Sequence, residues 1–187
     1  MATVVNPYIA VELKDQGITQ FRAGLREALG QLGVGAEDAS PSLHISVAYA
    51  EGEMNLNEIS DLANCIAGNP FQVRVCGFEI LEGHTTPFDY LALSIEAEGC
   101  FESALRTVEG RISTRSFCQN FRSHVSLVRF EKGRLGQNLA AELVRELNAS
   151  QKAATALGRT ICLEGECVRV YDLERQCRCD VPFEQAC

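Results

Sequence analysis

The five-residue frames Leu43-His44-Ile45-Ser46-Val47 and Ser123-His124-Val125-Ser126-Leu127 lie 80 residues apart in a chain that has only three histidines. In a β-strand alternate side chains share a face, so His44 and Ser46 project together while Leu43, Ile45 and Val47 project the other way. His124 and Ser126 repeat the arrangement, backed by Val125 and Leu127. A strand apolar on one side and polar on the other, used twice, requires two similar half-structures, each covering its apolar side and leaving one imidazole and one hydroxyl accessible.

The rest of the chain supplies the elements for two such halves. Residues 8–13 are β-prone, and Ile18, Phe21, Leu25, Leu29 and Leu32 recur at helical spacing before Gly33 and Gly35. A strand at 43–50 precedes a helix at 55–67 with Asn55 as its cap, stopped by Gly68-Asn69-Pro70. Alternating segments at 71–81 and 89–97 flank a turn at 82–87 and read as a hairpin. A helix at 101–112, a strand at 123–130, a helix at 135–147 and one or two strands over 160–173 complete the second half. The expected fold is α+β, with two pseudo-symmetric lobes in a single domain over 1–187, ending in a Cys-rich extension at 174–187.

Composition narrows the class of partner. Hydrophobic residues make up 46% of the 187 positions, enough for a proper core, and there is no apolar run long enough to span a bilayer. The first 30 residues lack the basic start and cleavage pattern of a signal peptide, so a cytoplasmic chain with no membrane partner, a monomer, is expected. A net charge of −8 disfavours long duplex nucleic acid and leaves small nucleotides or short oligonucleotides. Five of the nine cysteines crowd the last 26 residues without a C-x-x-C pair. Reduced thiols are therefore expected ahead of zinc or disulfides, and no metal or cofactor is called for.

Two imidazoles and two hydroxyls around one site suit phosphodiester cleavage. An imidazole titrates near neutrality, so one can take a proton from the attacking hydroxyl while the other gives one to the leaving oxygen. Serine hydroxyls can donate to the non-bridging phosphate oxygens. A single H-x-S is common by chance, and a lone strand histidine is more often a packed one; the duplication carries the argument. His84-Thr85-Thr86 also fits H-x-[ST], but its setting between Gly83 and Pro87 reads as a turn, and His84 as a loop residue.

Paired H-x-[ST] motifs on strands of two matching half-chains, with the opening strand Tyr8-Ile9-Ala10-Val11, resemble the two-histidine phosphoesterase superfamily, which includes LigT-like RNA 2′,3′-cyclic phosphodiesterases. The resemblance implies two lobes, each with an antiparallel sheet and flanking helices, facing across a V-shaped cleft, and a metal-independent hydrolase. It makes His44 and His124 the acid and base pair and Ser46 and Ser126 the phosphate binders. It leaves open 2′,5′-linked oligoadenylate, 2′,3′-cyclic phosphate or a cyclic oligonucleotide as substrate, and does not account for the chain beyond Leu173.

Further candidates come from strand parity. Arg122 shares the face of His124 and Ser126 and suits phosphate. Phe88, Tyr90 and Tyr171 are candidates for base stacking, whereas Tyr49 has the parity of Ile45 and Val47 and is expected in the core. The competing readings are a non-catalytic nucleotide- or RNA-binding module on the same scaffold, and a structural or redox protein governed by its cysteines, which leaves the duplicated histidines unexplained.

Overall fold

The computed structural model describes residues 3–68, 70–83, 86–96, 99–112, 123–156 and 161–183, excepting the side chains of Cys100 and Phe101. The elements are β1 (Thr3–Val5), β2 (Tyr8–Lys14), α1 (Gln16–Gln31), β3 (Ala36–Asp38), β4 (Leu43–Tyr49), β5 (Glu53–Asn55) and α2 (Leu56–Ala67). They continue as β6 (Gln72–Glu82), β7 (Phe88–Glu96), α3 (Cys100–Glu109), β8 (His124–Glu131), α4 (Gln137–Ala156), β9 (Cys162–Tyr171) and β10 (Cys177–Pro182).

The fold is α+β with antiparallel pairing throughout. β1 and β5 form a small ribbon, and the remaining strands form one connected sheet in the order β3-β8-β7-β6-β9-β2-β4, with β10 paired to β9. The sheet divides at β9. The start of β9, residues 162–164, pairs with the start of β6, whereas residues 167–171 pair with β10 on that side, and β2 runs along the other. Beyond Arg74, β6 therefore loses β9 as a neighbour, and α4 takes its place. Asn148 Oδ1 accepts from the Phe78 amide at 2.7 Å and its Nδ2 donates to the Phe78 carbonyl at 3.1 Å. Gln151 Nε2 donates to the Val75 carbonyl at 3.2 Å. Two amide side chains thus replace a missing strand, since exposed ladder groups left unpaired cost free energy. Gly77 permits the approach, because a Cβ there would stand 2.6 Å from Asn148 Oδ1.

α1 and α2 begin at side-chain caps. Asp15 Oδ1 accepts the Ile18 amide at 2.7 Å, and Asn55 and Glu58 form a reciprocal capping box. α2 packs on β9 and β10, α3 on α2 and β4, α1 on β3 and β8, and α4 on β6. So α1, which follows β2, packs with the second motif strand, and α3, which precedes β8, packs with the first. Arg22 on α1, 7% exposed, ties this packing by donating to the Ser40 carbonyl at 3.0 Å and pairing with Asp38 at 3.4 Å. One buried cluster takes in Ile9, Val11 and Leu13 of β2, Leu43, Ile45 and Val47 of β4, Leu91 and Leu93 of β7, and Val125 and Leu127 of β8.

One expectation is corrected here, and two features that the sequence left open are supplied. α4 runs to Ala156 rather than 147: Gln151 occupies a position an apolar residue would normally hold, which conceals the helical spacing. Within the Cys-rich end, Cys177–Pro182 form β10, an edge strand on β9. The short strands β1, β3 and β5 are three residues each, too brief to show alternation. Among the described residues no helix is long and apolar enough to cross a membrane.

Candidate functional site

The two motif strands are built alike to a detail that alternation does not reveal. β4 pairs with β2 so that His44 lies opposite Glu12 and Ser46 opposite Ala10; the register then skips Val47, and Ala48 lies opposite Ile9 and Tyr49 opposite Tyr8. β8 pairs with β7 so that His124 lies opposite Ser94 and Ser126 opposite Ala92; the register skips Leu127, and Val128 lies opposite Leu91 and Arg129 opposite Tyr90. The extra residue directly after each serine is a β-bulge, which inverts the parity of the residues beyond it. Tyr49 and Arg129 thereby come onto the faces of the histidines, each five residues after one. This corrects the expectation that Tyr49 sits in the core: it is half-buried and stacks on Tyr8 with ring centroids 4.6 Å apart.

On the first face a polar chain supports His44 and Ser46. The Tyr8 and Ser46 hydroxyls lie 2.9 Å apart. Tyr8 is 5% exposed, and burial first, then the neighbouring Tyr49, pushes its hydroxyl well above the ordinary tyrosine range, so it stays protonated. Glu12 is 2% exposed; it accepts from the Tyr171 hydroxyl at 2.6 Å, and Arg169 Nη1 lies 3.8 Å from it. Burial and that bond push the Tyr171 hydroxyl up to about 12. Arg169 also pairs with Asp180 of β10 at 3.0 Å.

His44 is partly buried, and its Nδ1 lies 3.4 Å from the Ser42 carbonyl. A carbonyl only accepts, so the neutral ring carries its proton on Nδ1 and leaves Nε2 as the basic atom. Burial lowers the pKa of His44. Glu12 and the Ser42 carbonyl oppose that, while Arg175 and His124 add to it. The last of these shows the two motif imidazoles within electrostatic reach of each other, in line with the packing of β4 against β8 although the two lie near opposite ends of the strand order.

On the second face, Arg129 lies over the Phe88 ring at 4.8 Å, and its Nε is 3.1 Å from Glu37 Oε1 without hydrogen-bond alignment. The Tyr90 hydroxyl is 3.3 Å from Thr86 Oγ1. The structure therefore groups His44, Ser46 and Tyr171 through Tyr8 and Glu12, and places His124 and Ser126 on a strand beside Tyr90, with Phe88 at its far end. Arg122 and His84 lie outside the described residues. Cys65, Cys76, Cys162, Cys167, Cys177 and Cys179 are free thiols. A hollow of about 500 Å³ between α1 and α4, lined by Ile18, Phe21, Phe78 and Leu147, opens on the apolar side of the sheet and takes in neither histidine, neither serine and none of the candidate aromatics.

Tyr8, Glu12, Arg129 and Arg169 did not emerge from the sequence. Glu12 left one signal: a lone acid in an apolar strand, two and four residues from Ala10 and Tyr8, on the face that His44 shares.

The sequence matches no protein-family model and no curated protein. Solved structures are more informative. Kluyveromyces marxianus Usb1 superposes with a TM-score of 0.57, and its structure with uridine monophosphate with 0.58, each at 16% identity over 94% of this chain and 97% of that one. TT0787 of Thermus thermophilus gives 0.53 at 17% identity, over 96% and 98%. These are two-histidine phosphoesterases. This chain has the two-histidine phosphoesterase fold. The likeness extends over nearly the full length of each chain.

Proposed function

We propose that the protein is a phosphodiesterase that cleaves a small nucleotide or short oligonucleotide by general acid–base catalysis between His44 and His124, with no metal in the reaction. The observation that carries the reading is the pair of imidazoles, on strands matched in motif, register and bulge, within electrostatic reach of each other. The fold supports it, and the Usb1 structure holding uridine monophosphate supports a ligand of mononucleotide scale.

His44 is the base. Burial holds it neutral, Nδ1–H points to the Ser42 carbonyl, and Nε2 takes the proton of the attacking water or ribose 2′-hydroxyl as its oxygen bonds to phosphorus. His124 is the acid and gives a proton to the leaving oxygen as its bond to phosphorus breaks. Ser46 and Ser126 donate to the non-bridging oxygens. Tyr8, kept protonated, donates to Ser46 Oγ, which frees the serine's own proton for phosphate.

The test is mass spectrometry of products in EDTA, with 2′,3′-cyclic nucleotides, 2′,5′-oligoadenylate, linear 3′,5′ RNA and cyclic oligonucleotides. Wild type should cleave one class, and His44→Ala and His124→Ala should each abolish turnover while still binding it. Turnover of that substrate at near-normal rate by either variant contradicts the paired mechanism. Binding without cleavage of any of them favours a non-catalytic module.

A further inference from the structure

The hairpin between β9 and β10 brings a cation to the site that neither motif contains. Arg175 sits at its turn with φ of 62°, a left-handed conformation that costs a non-glycine residue about 1 kcal/mol or more. The turn is fixed from beneath by Asp172, 7% exposed. Its carboxylate accepts the Gln176 amide at 2.8 Å and Arg178 Nε at 2.6 Å. Its backbone N–H donates to the Gln176 carbonyl at 3.0 Å, and its carbonyl accepts the Arg175 amide at 3.1 Å.

So held, the exposed Arg175 places its guanidinium 5.4 Å from the centroid of the Tyr8 ring. The hydroxyl of that ring meets Ser46, and the charge is near enough to His44 to disfavour its protonation. Arg129, Arg169 and Arg178 each pair with a carboxylate. Arg175 has none at ion-pair distance among the described residues. An uncommitted guanidinium in a strained, braced turn beside an anion-handling site is a ready partner for phosphate.

We propose that Arg175 is a specificity-determining residue that binds a second phosphate, next to the one the histidines act on, so that the site prefers nucleotides bearing two phosphates over those bearing one. The proposal rests on the reading of the site as nucleotide-binding and names its substrate class more closely. Ser46 and the two histidines serve the reacting phosphate; the guanidinium lies one tyrosine ring away from Ser46, where an adjoining phosphate, not the reacting one, would come. In a chain of net charge −8 such a local cation offsets the added repulsion that a second phosphate meets.

The experiment is calorimetric titration of wild type, Arg175→Gln and Arg175→Lys with adenosine 3′-monophosphate and adenosine 3′,5′-bisphosphate. Wild type should bind the bisphosphate about tenfold or more tightly than the monophosphate, as a charge-assisted contact implies. Arg175→Gln should lose that preference and keep monophosphate affinity within about twofold, and Arg175→Lys should keep part of it. Equal affinity of wild type for the two ligands, or equal weakening of both by Arg175→Gln, overturns the proposal. Because binding needs no turnover, a preference seen in a protein that cleaves nothing would sink the phosphodiesterase reading and leave this one standing.

Discussion

Replacing Glu12 by Gln separates the support of His44 from its chemistry. The amide keeps the size of the side chain and one acceptor for Tyr171, and deletes the charge. The bond from Tyr171 at 2.6 Å changes from charge-assisted to neutral, a loss of about 1 kcal/mol. Arg169 keeps Asp180, so its cation is not left alone. Relief of the desolvation of a buried carboxylate works in the other direction. A net cost of at most about 1 kcal/mol is expected, which for a chain of this size lowers Tm by no more than about 2–4 °C. The effect on His44 has a definite sign. Burial depresses its pKa, and the Glu12 carboxylate is the main influence opposing that. Without the charge the pKa falls further, so the neutral base survives to lower pH and the acid limb of kcat/KM moves down. A thermal melt and a pH profile of kcat/KM measure both. An acid limb that stays in place or moves up refutes the assignment of Glu12 as the residue that tunes His44.

Other consequences are as direct. Since the folded pKa of His44 lies below the unfolded value near 6.5, the unfolded chain binds more protons as the pH falls through that value; stability measured by urea titration should decline from about pH 6.5 downward, and His44→Gln should flatten that decline. Tyr8→Phe removes the donor to Ser46 and should lower kcat by about tenfold with little change in KM; because the two act in series, Tyr8→Phe/Ser46→Ala should be no worse than Ser46→Ala alone. Asn148→Ala leaves the Phe78 N–H and C=O without their partner and should cost about 1–3 kcal/mol, read as a lower urea midpoint at unchanged m-value, with nucleotide affinity unaltered.

The order of long elements was legible because apolar spacing is regular in α1, α2, β6 and β7, and the Asn55 cap is declared by the sequence itself. Parity carries the motifs as far as Ser46 and Ser126 and fails one residue later. A bulge is a property of strand pairing, and neither Val47 nor Leu127 marks it locally, so parity puts Tyr49 on the wrong face and gives no sign of Arg129. Glu12 and Asn148 act on residues 32 and 70 positions away, His44 and Phe78, through partners that only the sheet order brings together. Asp172 and Arg175 belong to a hairpin whose cysteines are its conspicuous feature in the sequence, while its turn holds the chemistry.

The assignment of roles to the two histidines is tested most directly with a leaving group that needs no proton. On uridine 3′-(4-nitrophenyl phosphate), 4-nitrophenolate departs unaided, so only the base is required. The account predicts that His124→Ala turns over this ester at a rate near that of wild type while failing on a dinucleotide, and that His44→Ala fails on both. Equal loss in the two variants on the nitrophenyl ester, or rescue of His44→Ala in place of His124→Ala, contradicts it.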